Sequence, residues 1–317
     1  MTVSDPQTIG VDVGGTKTAA IRLSADGDIL DRSMLPTPAE DPAASLRIVG
    51  DAIAKVLDDE VTAVGVGAAG LVDVGTGTIV FSPNFTWRHV PIGAELTERF
   101  GLPVTVDNDA TAAAWAESLL GASNGYQDSL FVGVGTGIGG GIIAGGRLIR
   151  GAHGFAGEIG HVIVEPGGPA CGCGNRGCWE QVASGQALER EGAEAIAADP
   201  ASSFAIRAGR RTSSITGEFV AAAARDGDPT ALGIIHEVGR RLGDGVAGLV
   251  NVIDPAVVVV GGGLAEIGDA IFEPLQDAYQ AAVEGRRDRP DVSIVPAALG
   301  NDAGAIGAAM IAREAGS

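Results

Sequence analysis

The chain has 317 residues, a formal net charge of −19 at pH 7 and 45% hydrophobic residues. This length predicts two domains, because single hydrophobic cores stop growing at about 250–300 residues. The acidic charge argues against a protein that binds nucleic acid or an anionic membrane, since phosphates need a basic surface. The N-terminal segment lacks the features of a signal peptide, and no run of eighteen apolar residues predicts a transmembrane helix. We therefore expect a cytoplasmic protein.

The first predicted elements form a glycine-turn hairpin. A strand ends near Val13, a glycine turn follows, and a return strand ends near Leu23, after which a turn at Asp26-Gly27 leads into a third strand. The next predicted elements are a helix at 43–58, a strand in TAVGVGAAG, a hairpin around GTGTIVFSPN, a helix at 92–100, a strand in VTVDND and an alanine-rich helix at 110–120.

A second unit of the same kind begins at Leu130. When residues 11–21 are laid over residues 133–143, a valine-rich strand, a small-residue turn with a threonine and an apolar return strand match in order, which predicts an internal duplication. Further predicted elements are helices at 184–198, 214–225 and 228–251, a buried strand in AVVVVGGG, a helix at 265–283, a strand in DVSIVP and a helix at 302–314.

Strands alternate with helices in two similar halves. This alternation predicts an α/β fold with mixed sheets and a cleft between two lobes. We place the N-terminal lobe at residues 1–120, joined by the C-terminal helix at 302–317, and a larger C-terminal lobe at 121–301.

The segment GTGIGG at 135–140 matches the G-x-G-x-x-G dinucleotide motif. That motif opens a helix whose N-terminus holds a pyrophosphate. Here the following GIIAGGRLIRG predicts a hairpin with a tight turn at Gly145-Gly146 instead. The pattern therefore argues against a nicotinamide-dependent dehydrogenase.

Two facing glycine hairpins can offer backbone N–H groups to a polyphosphate. In this interpretation Asp12 orients hydrated magnesium, and Lys17 or Thr16 lies near the transferred phosphate. The alternative is that the glycines only serve tight turns and that Asp12 faces solvent; the recurrence of the loop in both halves favours phosphate binding. The residues concerned are Asp12, Gly14, Gly15, Thr16 and Lys17 in one loop and Gly135, Thr136, Gly137, Ile138, Gly139 and Gly140 in the other.

All three cysteines of the chain lie within CGCGNRGCWE. Cys171, Cys173 and Cys178 have the spacing C-x-C-x4-C, which suits one zinc ion better than a redox pair or inert surface thiols. Structural zinc is usually four-coordinate, and His161 in GEIGHVIV can supply the fourth ligand. If one ring nitrogen of His161 binds zinc, the other can face a substrate.

The segment VTVDNDATAAAWAE places an aspartate where a strand ends and a helix begins. Asp109 there is either the helix N-cap or a general base, whose ionised form the helix N-terminus would favour. Period-two alternation would direct Asp107 to the same side, so Asp107 stays an alternative base.

The motifs VDVGGTKT, DNDATAAAWAE, GTGIGGG and GEIGHVIV…CGCGNRGCWE together resemble the ROK family of sugar kinases, and within it most closely the microbial glucokinases. The resemblance covers about residues 8 to 313. It implies a two-lobed, actin-like (ribonuclease-H-like) fold, transfer of phosphate from Mg-ATP to the 6-hydroxyl of glucose, and a homodimer or homotetramer. Family repressors carry a DNA-binding domain before the first glycine loop, for which the roughly seven residues here leave no room.

The resemblance also implies roles for individual residues. It makes Asp109 the general base and supports the zinc ligands. The segment VVVVGGGL, with Gly262 and Gly263, lies either on the adenosine side of the nucleotide or in an ordinary α/β turn. Alternatives are a kinase for fructose, mannose, N-acetylmannosamine or N-acetylglucosamine, or a sugar sensor without turnover. The implied sugar-binding residues are Asn84, Asn108, Asp109, Glu158, His161 and Glu180.

Overall fold

The computed structural model describes residues 6–82 and 85–316. The first half contains β1 (Gln7–Val13), β2 (Lys17–Leu23), β3 (Ile29–Pro36), α1 (Pro42–Val56), β4 (Val61–Ala68), β5 (Leu71–Asp73), β6 (Thr78–Phe81), β7 (Arg88–Val90), α2 (Ile92–Phe100), β8 (Val104–Asn108) and α3 (Asp109–Leu119). The second half contains β9 (Ser129–Val134), β10 (Ile138–Ala144), β11 (Arg147–Leu148), α4 (Trp179–Ala183), α5 (Gly185–Ala198), α6 (Ser203–Arg207), α7 (Gly217–Arg225), α8 (Pro229–Ile253), β12 (Val257–Gly261), α9 (Asp269–Ala282), β13 (Ser293–Pro296) and α10 (Ala303–Ala315).

The predicted helices and strands are confirmed, with ends displaced by a few residues. Two short helices, α4 and α6, were not predicted, because five residues carry too little periodicity to be recognised. Within residues 6–82 and 85–316 no helix is both long and apolar enough to cross a membrane.

Two five-stranded sheets have the same strand order. The first has the order β3-β2-β1-β4-β8 and the second has β11-β10-β9-β12-β13. In the first sheet β1, β2 and β3 are antiparallel neighbours, while β4 lies parallel to both β1 and β8. In the second sheet β10 and β11 are antiparallel, and β12 and β13 are parallel. The repeated order confirms the predicted duplication and the mixed α/β sheets.

The GTGIGG motif is followed by a strand, as predicted. Strand β10 continues directly from it, and Gly145 and Gly146 form the next turn with φ of 56° and 71°. Positive φ at both central residues is typical of a primed hairpin turn. A dinucleotide-binding helix is therefore absent at this motif.

The chain forms two compact units. The first consists of the described residues up to Phe131 together with Gly140–Gly157 and those from Ala297 onward; the second consists of Val132–Gly139 and Glu158–Pro296. In this division residues 140–157 fall in the first unit, because they return to α3 and to the end of β8. Arg150, for example, forms an ion pair with Asp107 at the end of β8.

In the first unit α10 lies directly on the sheet. Gly10 of β1 and Gly65 of β4 face the helix so closely that a Cβ atom on either would overlap the carbonyl oxygens of Ala305 and Ala308, respectively. Small residues on both sides thus let the helix approach the strands. This packing holds the end of β1, and with it Asp12, against α10, where a Cβ on Gly304 would lie 3.2 Å from an oxygen of Asp12.

In the second unit α8 supports the short helix α4. Trp179, the first residue of α4, is 1% exposed and packs against Gly245 of α8. Its indole Nε1–H donates to the carbonyl of Arg241 at 3.0 Å. A buried aromatic residue with its polar atom satisfied fixes the helix that carries it. The next residue, Glu180, therefore stands on a rigid base.

Candidate functional site

Two carboxylates lie close together in the first unit. Burial raises the pKa of Asp12, at the end of β1, to about 7; repulsion by Asp109 adds to this, while Lys17 opposes it. Two neighbouring buried carboxylates are stabilised by a divalent cation, and oxygen donors are those that Mg²⁺ prefers. The donor set therefore fits the predicted magnesium at Asp12.

The surroundings of Asp109 differ from the expectation that the helix N-terminus keeps it ionised. The backbone N–H of Ala110 does donate to its Oδ1 at 2.9 Å, but burial outweighs this hydrogen bond and raises the pKa of Asp109. A raised pKa makes this carboxylate a better proton acceptor once ionised. The charge of Asp109 is therefore not stabilised in the way that the sequence predicted.

Asp107, Asn108 and Asp109 differ in the hydrogen bonds that they form. Asn108 is the N-cap of α3: its Oδ1 accepts from the N–H of Thr111 at 3.0 Å, and its Nδ2 donates to the carbonyl of Gly70 at 3.2 Å. Asp109 is therefore not the cap.

Asp107 is 3% exposed and held by its neighbours. It accepts from Nε of Arg150 at 2.6 Å and from the N–H of Asn108 at 2.9 Å. Among the residues that the structure describes, the carboxylate of Asp109 is hydrogen-bonded by backbone N–H only. Asp107 is therefore held by a side chain as well as by the backbone, whereas Asp109 is held by the backbone alone.

The first glycine loop (residues 14–17) joins β1 and β2. The N–H of Gly14 donates to the carbonyl of Lys17 at 3.0 Å, and the carbonyl of Thr16 accepts from the N–H of Thr37 at 2.9 Å. Thr16 and Lys17 are exposed, whereas Gly14 and Gly15 are half-buried. The side chains predicted to meet phosphate are therefore accessible.

The second glycine loop (residues 135–137) joins β9 and β10. The N–H of Gly135 donates to the carbonyl of Gly137 at 3.0 Å, and the hydroxyl of Ser184 donates to the carbonyl of Thr136 at 2.9 Å. The N–H groups of Gly185 and Gln186, at the start of α5, donate to the carbonyls of Gly135 and Thr136, respectively. Thr136 itself is exposed, and Gly139 and Gly140 follow within β10.

Gly262 and Gly263 follow strand β12. Gly262 has φ of 83°, and a Cβ atom on it would lie within 3 Å of the backbone of Val134, so its turn and its packing both require glycine. Gly263 is exposed and has open space around it. These observations agree with an ordinary α/β turn and do not test a contact with adenosine.

A cavity of about 770 Å³ lies beside Thr136 within the second unit. Sequence reasoning missed it, because its residues come from α4, from α5 and from three other segments that are distant in sequence and share no motif. Five of the ten lining residues are polar and uncharged, three are apolar, and the other two supply one carboxylate and one guanidinium. The residues are Thr136, Pro169, Ala170, Gln181, Gln186, Glu189, Arg190, Thr212, Ser213 and Ile215.

The four predicted zinc ligands meet in the second unit. The ligand atoms of His161, Cys171, Cys173 and Cys178 all lie within 4.8 Å of one another. The sulfur atoms of Cys173 and Cys178 are 3.6 Å apart, and Sγ of Cys171 is 3.6 Å from Nδ1 of His161. A tetrahedron with zinc–sulfur bonds of about 2.3 Å has edges of about 3.7 Å, so these residues fit zinc.

Two predicted sugar-binding carboxylates flank the histidine of this cluster. Nε2 of His161 is 3.7 Å from Oε2 of Glu158, and Nδ1 is 3.6 Å from Oε1 of Glu180. The Nδ1 edge therefore faces the cysteines, which leaves Nε2 on the side of Glu158. Asn84 lies outside the described residues, and Asn108 and Asp109 belong to the first unit.

Comparison with known proteins identifies the family. A sequence model of the ROK family matches residues 8–315. The chain belongs to the ROK family. The glucokinase of Streptomyces coelicolor is 42% identical over 314 residues, which are 97% of this chain and 98% of that protein. The N-acetylmannosamine kinase of Escherichia coli is 35% identical over 309 residues, which cover 96% and 98%.

A solved structure resembles this ROK protein over its whole length. It is the crystal structure of a ROK family glucokinase from Streptomyces griseus in complex with glucose and AMPPNP. The TM-score is 0.89 at 41% identity, with 97% of this chain and 99% of that chain covered. This likeness, together with the repeated strand order, confirms the duplicated, actin-like sugar kinase fold that the sequence motifs implied.

Proposed function

We propose that this ROK protein is an ATP-dependent glucokinase that phosphorylates the 6-hydroxyl of glucose. The observation that carries the proposal is the near full-length likeness to the Streptomyces griseus glucokinase in complex with glucose and AMPPNP. The arrangement around Asp109 supports it, because a phosphotransferase needs one available carboxylate and Asp107 is held by Arg150.

Asp109 acts as the general base. Its carboxylate accepts the proton of the 6-hydroxyl while the sugar oxygen bonds to the γ-phosphorus and the bond from that phosphorus to the β-γ bridging oxygen breaks, which releases ADP. Burial raises the pKa of Asp109, and this strengthens it as a proton acceptor. Positioning and charge neutralisation contribute the rest of the catalysis.

The magnesium that accompanies ATP is oriented by Asp12. When bound, it neutralises the charge of the phosphates. The glycine loops offer backbone N–H groups to the phosphates, with Gly14, Gly15, Thr16 and Lys17 in the first half and Gly135, Thr136, Gly137, Gly139 and Gly140 in the second.

The nucleoside of ATP occupies the cavity beside Thr136. Its volume suits a ligand of that size, and a lining of amide and hydroxyl groups suits an uncharged base and ribose. A contact of Gly262 and Gly263 with the adenosine of ATP stays a prediction.

Zinc is held by His161, Cys171, Cys173 and Cys178 and has a structural role. When bound, it fixes the orientation of the imidazole ring. The other edge of His161, with Glu158 and Glu180, forms hydrogen bonds to the sugar hydroxyls. A carboxylate that loses its hydroxyl partner is left unpaired, which gives such a site its specificity. Asn108 keeps one N–H for the sugar, and Asn84 stays a prediction.

We further propose that the protein is cytoplasmic and forms a homodimer or homotetramer, as the family resemblance implies. The absence of a membrane-spanning helix in the described residues is compatible with that location. Size-exclusion chromatography with light scattering measures the oligomeric state.

The test is a coupled assay of ADP release with Mg-ATP. Glucose, mannose, fructose, N-acetylglucosamine and N-acetylmannosamine are presented in turn, with Asp109→Asn as the control. We expect the highest kcat/KM for glucose and a kcat about a thousandfold lower in the variant. Preference for N-acetylmannosamine would instead establish the second candidate, which the 35% identity to the Escherichia coli kinase favours. Silence with all five sugars would favour another phosphoryl donor, such as polyphosphate or ADP, or a sensor without turnover.

A further inference from the structure

Glu180 lies between the zinc-ligand cluster and the second glycine loop. One carboxylate oxygen, Oε1, is 3.0 Å from Sγ of Cys171 and 3.6 Å from Nδ1 of His161. The other, Oε2, lies in the space that a Cβ atom on Gly137 would occupy. The two oxygens of a single side chain therefore contact two regions to which the sequence assigned different ligands.

The backbone of the loop does not itself require glycine at position 137. Gly137 has a φ outside the left-handed region, so an alanine could adopt its conformation. The obstacle to a side chain is the carboxylate of Glu180, which is the far end of a flexible side chain. Alanine at this position would displace Glu180 and leave the fold intact.

Gly135, in the same loop, provides a matched comparison. It too has an ordinary φ, and a Cβ atom on it would meet nothing within 4 Å. Both glycines have the same predicted role toward phosphate. They differ in their surroundings, because a Cβ atom would meet Glu180 at Gly137 and would meet no atom at Gly135.

The helix that carries Glu180 is fixed at both ends. Trp179, at its start, is buried and hydrogen-bonded to Arg241, directly after the zinc ligand Cys178. Ser184, directly after its end, donates to the carbonyl of Thr136 in the glycine loop. Because the backbone of α4 is held in this way, a displaced Glu180 must move by its side chain, toward Cys171 and away from its place beside Gly137.

We propose that Gly137 is a positioning residue for Glu180, so that the second glycine loop and the sugar-binding carboxylate fix each other's position. The proposal rests on the proposed function and deepens it. It links the phosphate side of the site to the sugar side inside one unit of the protein. A substitution in the nucleotide loop is therefore expected to weaken the binding of glucose.

The experiment compares zinc-loaded wild type, Gly137→Ala and Gly135→Ala. Calorimetry measures the Kd for glucose without nucleotide, and steady-state kinetics measure the KM for each substrate. We expect Gly137→Ala to raise the glucose Kd about tenfold, the size of one lost charged hydrogen bond. We expect Gly135→Ala to raise the KM for ATP and to leave the glucose Kd within about twofold of wild type.

A second readout does not depend on turnover. The rate at which zinc passes to a chromogenic chelator is measured for the same three proteins. Because a displaced Glu180 carboxylate presses on Cys171, we expect zinc release to be several times faster in Gly137→Ala only. If the wild type binds no glucose but this difference is seen, the contact stands and the proposed function is wrong.

Shortening the carboxylate gives the decisive control. Glu180→Asp removes one methylene and with it the overlap, so adding Gly137→Ala to Glu180→Asp should change glucose Kd and zinc release by less than twofold. The proposal is overturned if the effects of the two substitutions multiply, or if both glycine variants change glucose Kd and zinc release equally.

Discussion

The two glycine hairpins occupy the same place in the same strand order but carry different chemistry. In the first, Asp12 is the penultimate residue of β1 and Lys17 is the first residue of β2. In the second, the aligned positions hold Val134 and Gly139. The duplicated frame therefore keeps its shape, while charged side chains stand on only one of the two hairpins.

The second hairpin is the more firmly held. Its loop carbonyls at Gly135 and Thr136 accept hydrogen bonds from three consecutive residues, 184–186, whereas the carbonyl of Thr16 in the first loop accepts from Thr37. The charged side chains thus lie on the hairpin of the first half, whereas the loop with more hydrogen bonds from its neighbours lies in the second half. Changes near the first hairpin should alter the chemical step, and changes near the second should alter binding and stability.

The largest expected effect is at the chemical step. Asp109→Asn removes the proton acceptor, so kcat should fall by about a thousandfold, within the range for general bases. The Kd for glucose should change by less than about threefold, because the amide keeps the size of the side chain and one acceptor oxygen. Initial rates and calorimetry measure the two effects.

Asp51→Asn is the matched control for this variant. It makes the same chemical change in the first unit, at a surface ion pair with Arg99, and should leave kcat unchanged. Turnover of Asp109→Asn within tenfold of wild type would assign the base elsewhere and end the division between the halves.

Zinc removal should act on the second unit through stability. Because binding free energy of a structural zinc adds to folding free energy, complete removal should lower Tm by about 10 °C and abolish turnover even after magnesium is restored. Differential scanning fluorimetry and elemental analysis follow the two quantities. A verified zinc-free protein with unchanged Tm and turnover would contradict the structural role.

Breaking the ion pair of Asp107 and Arg150 should have the next smaller effect, which is on the free energy of unfolding. Removing a partner from a fully buried pair costs about 3–5 kcal/mol. Because the Arg150 side chain is 32% exposed, Arg150→Gln should lower the free energy of unfolding by about 2 kcal/mol at pH 8. Urea unfolding measures this cost, and Asp107→Asn combined with Arg150→Gln should recover most of it.

The sign of the pH dependence of the Arg150→Gln effect follows from the pKa of Asp107. Burial already raises the pKa of this carboxyl above 3.8, and Arg150 opposes the rise. A folded state that holds its proton more tightly loses stability as pH rises above the unfolded pKa. Without Arg150 the pKa of Asp107 in the folded state rises further and this loss continues to higher pH, so the cost of the variant should be largest at pH 8 and small below pH 4. An equal cost at both pH values would show that packing, not charge, is lost.

Local sequence patterns predicted most of the fold. The apolar runs, the glycine turns and the alanine-rich helix predicted their elements, and Gly145-Gly146 predicted its turn, because each of these signals lies within a few residues. The cluster of His161, Cys171, Cys173 and Cys178, which could hold a metal ion, was predictable for the same reason. Their spacing is a chemical pattern that does not depend on distant packing.

The features that were missed come from contacts between distant segments. Strand alternation could not separate Asp107 from Asp109, because α3 begins at Asp109 and ends the period-two pattern there. The contact of Gly137 with Glu180 joins residues 43 positions apart, and the cavity beside Thr136 joins residues up to 79 positions apart. No local pattern records such a contact, so the support of the second loop was visible only in the structure.

The smallest predicted effect tests that support directly. Ser184→Ala removes both the N-cap of α5 and the hydrogen bond to the carbonyl of Thr136, which should lower the free energy of unfolding by about 1 kcal/mol. Because the loop keeps its backbone bonds to Gly185 and Gln186, kcat should change little while the KM for ATP rises about threefold.

Ser202→Ala is the matched control, since it removes the N-cap of α6, which forms no hydrogen bond to the loop. It should cost similar stability and leave the KM for ATP unchanged. Equal KM values in the two variants would show that the second loop does not depend on α5, and the firmer hold inferred for that hairpin would then have no functional consequence.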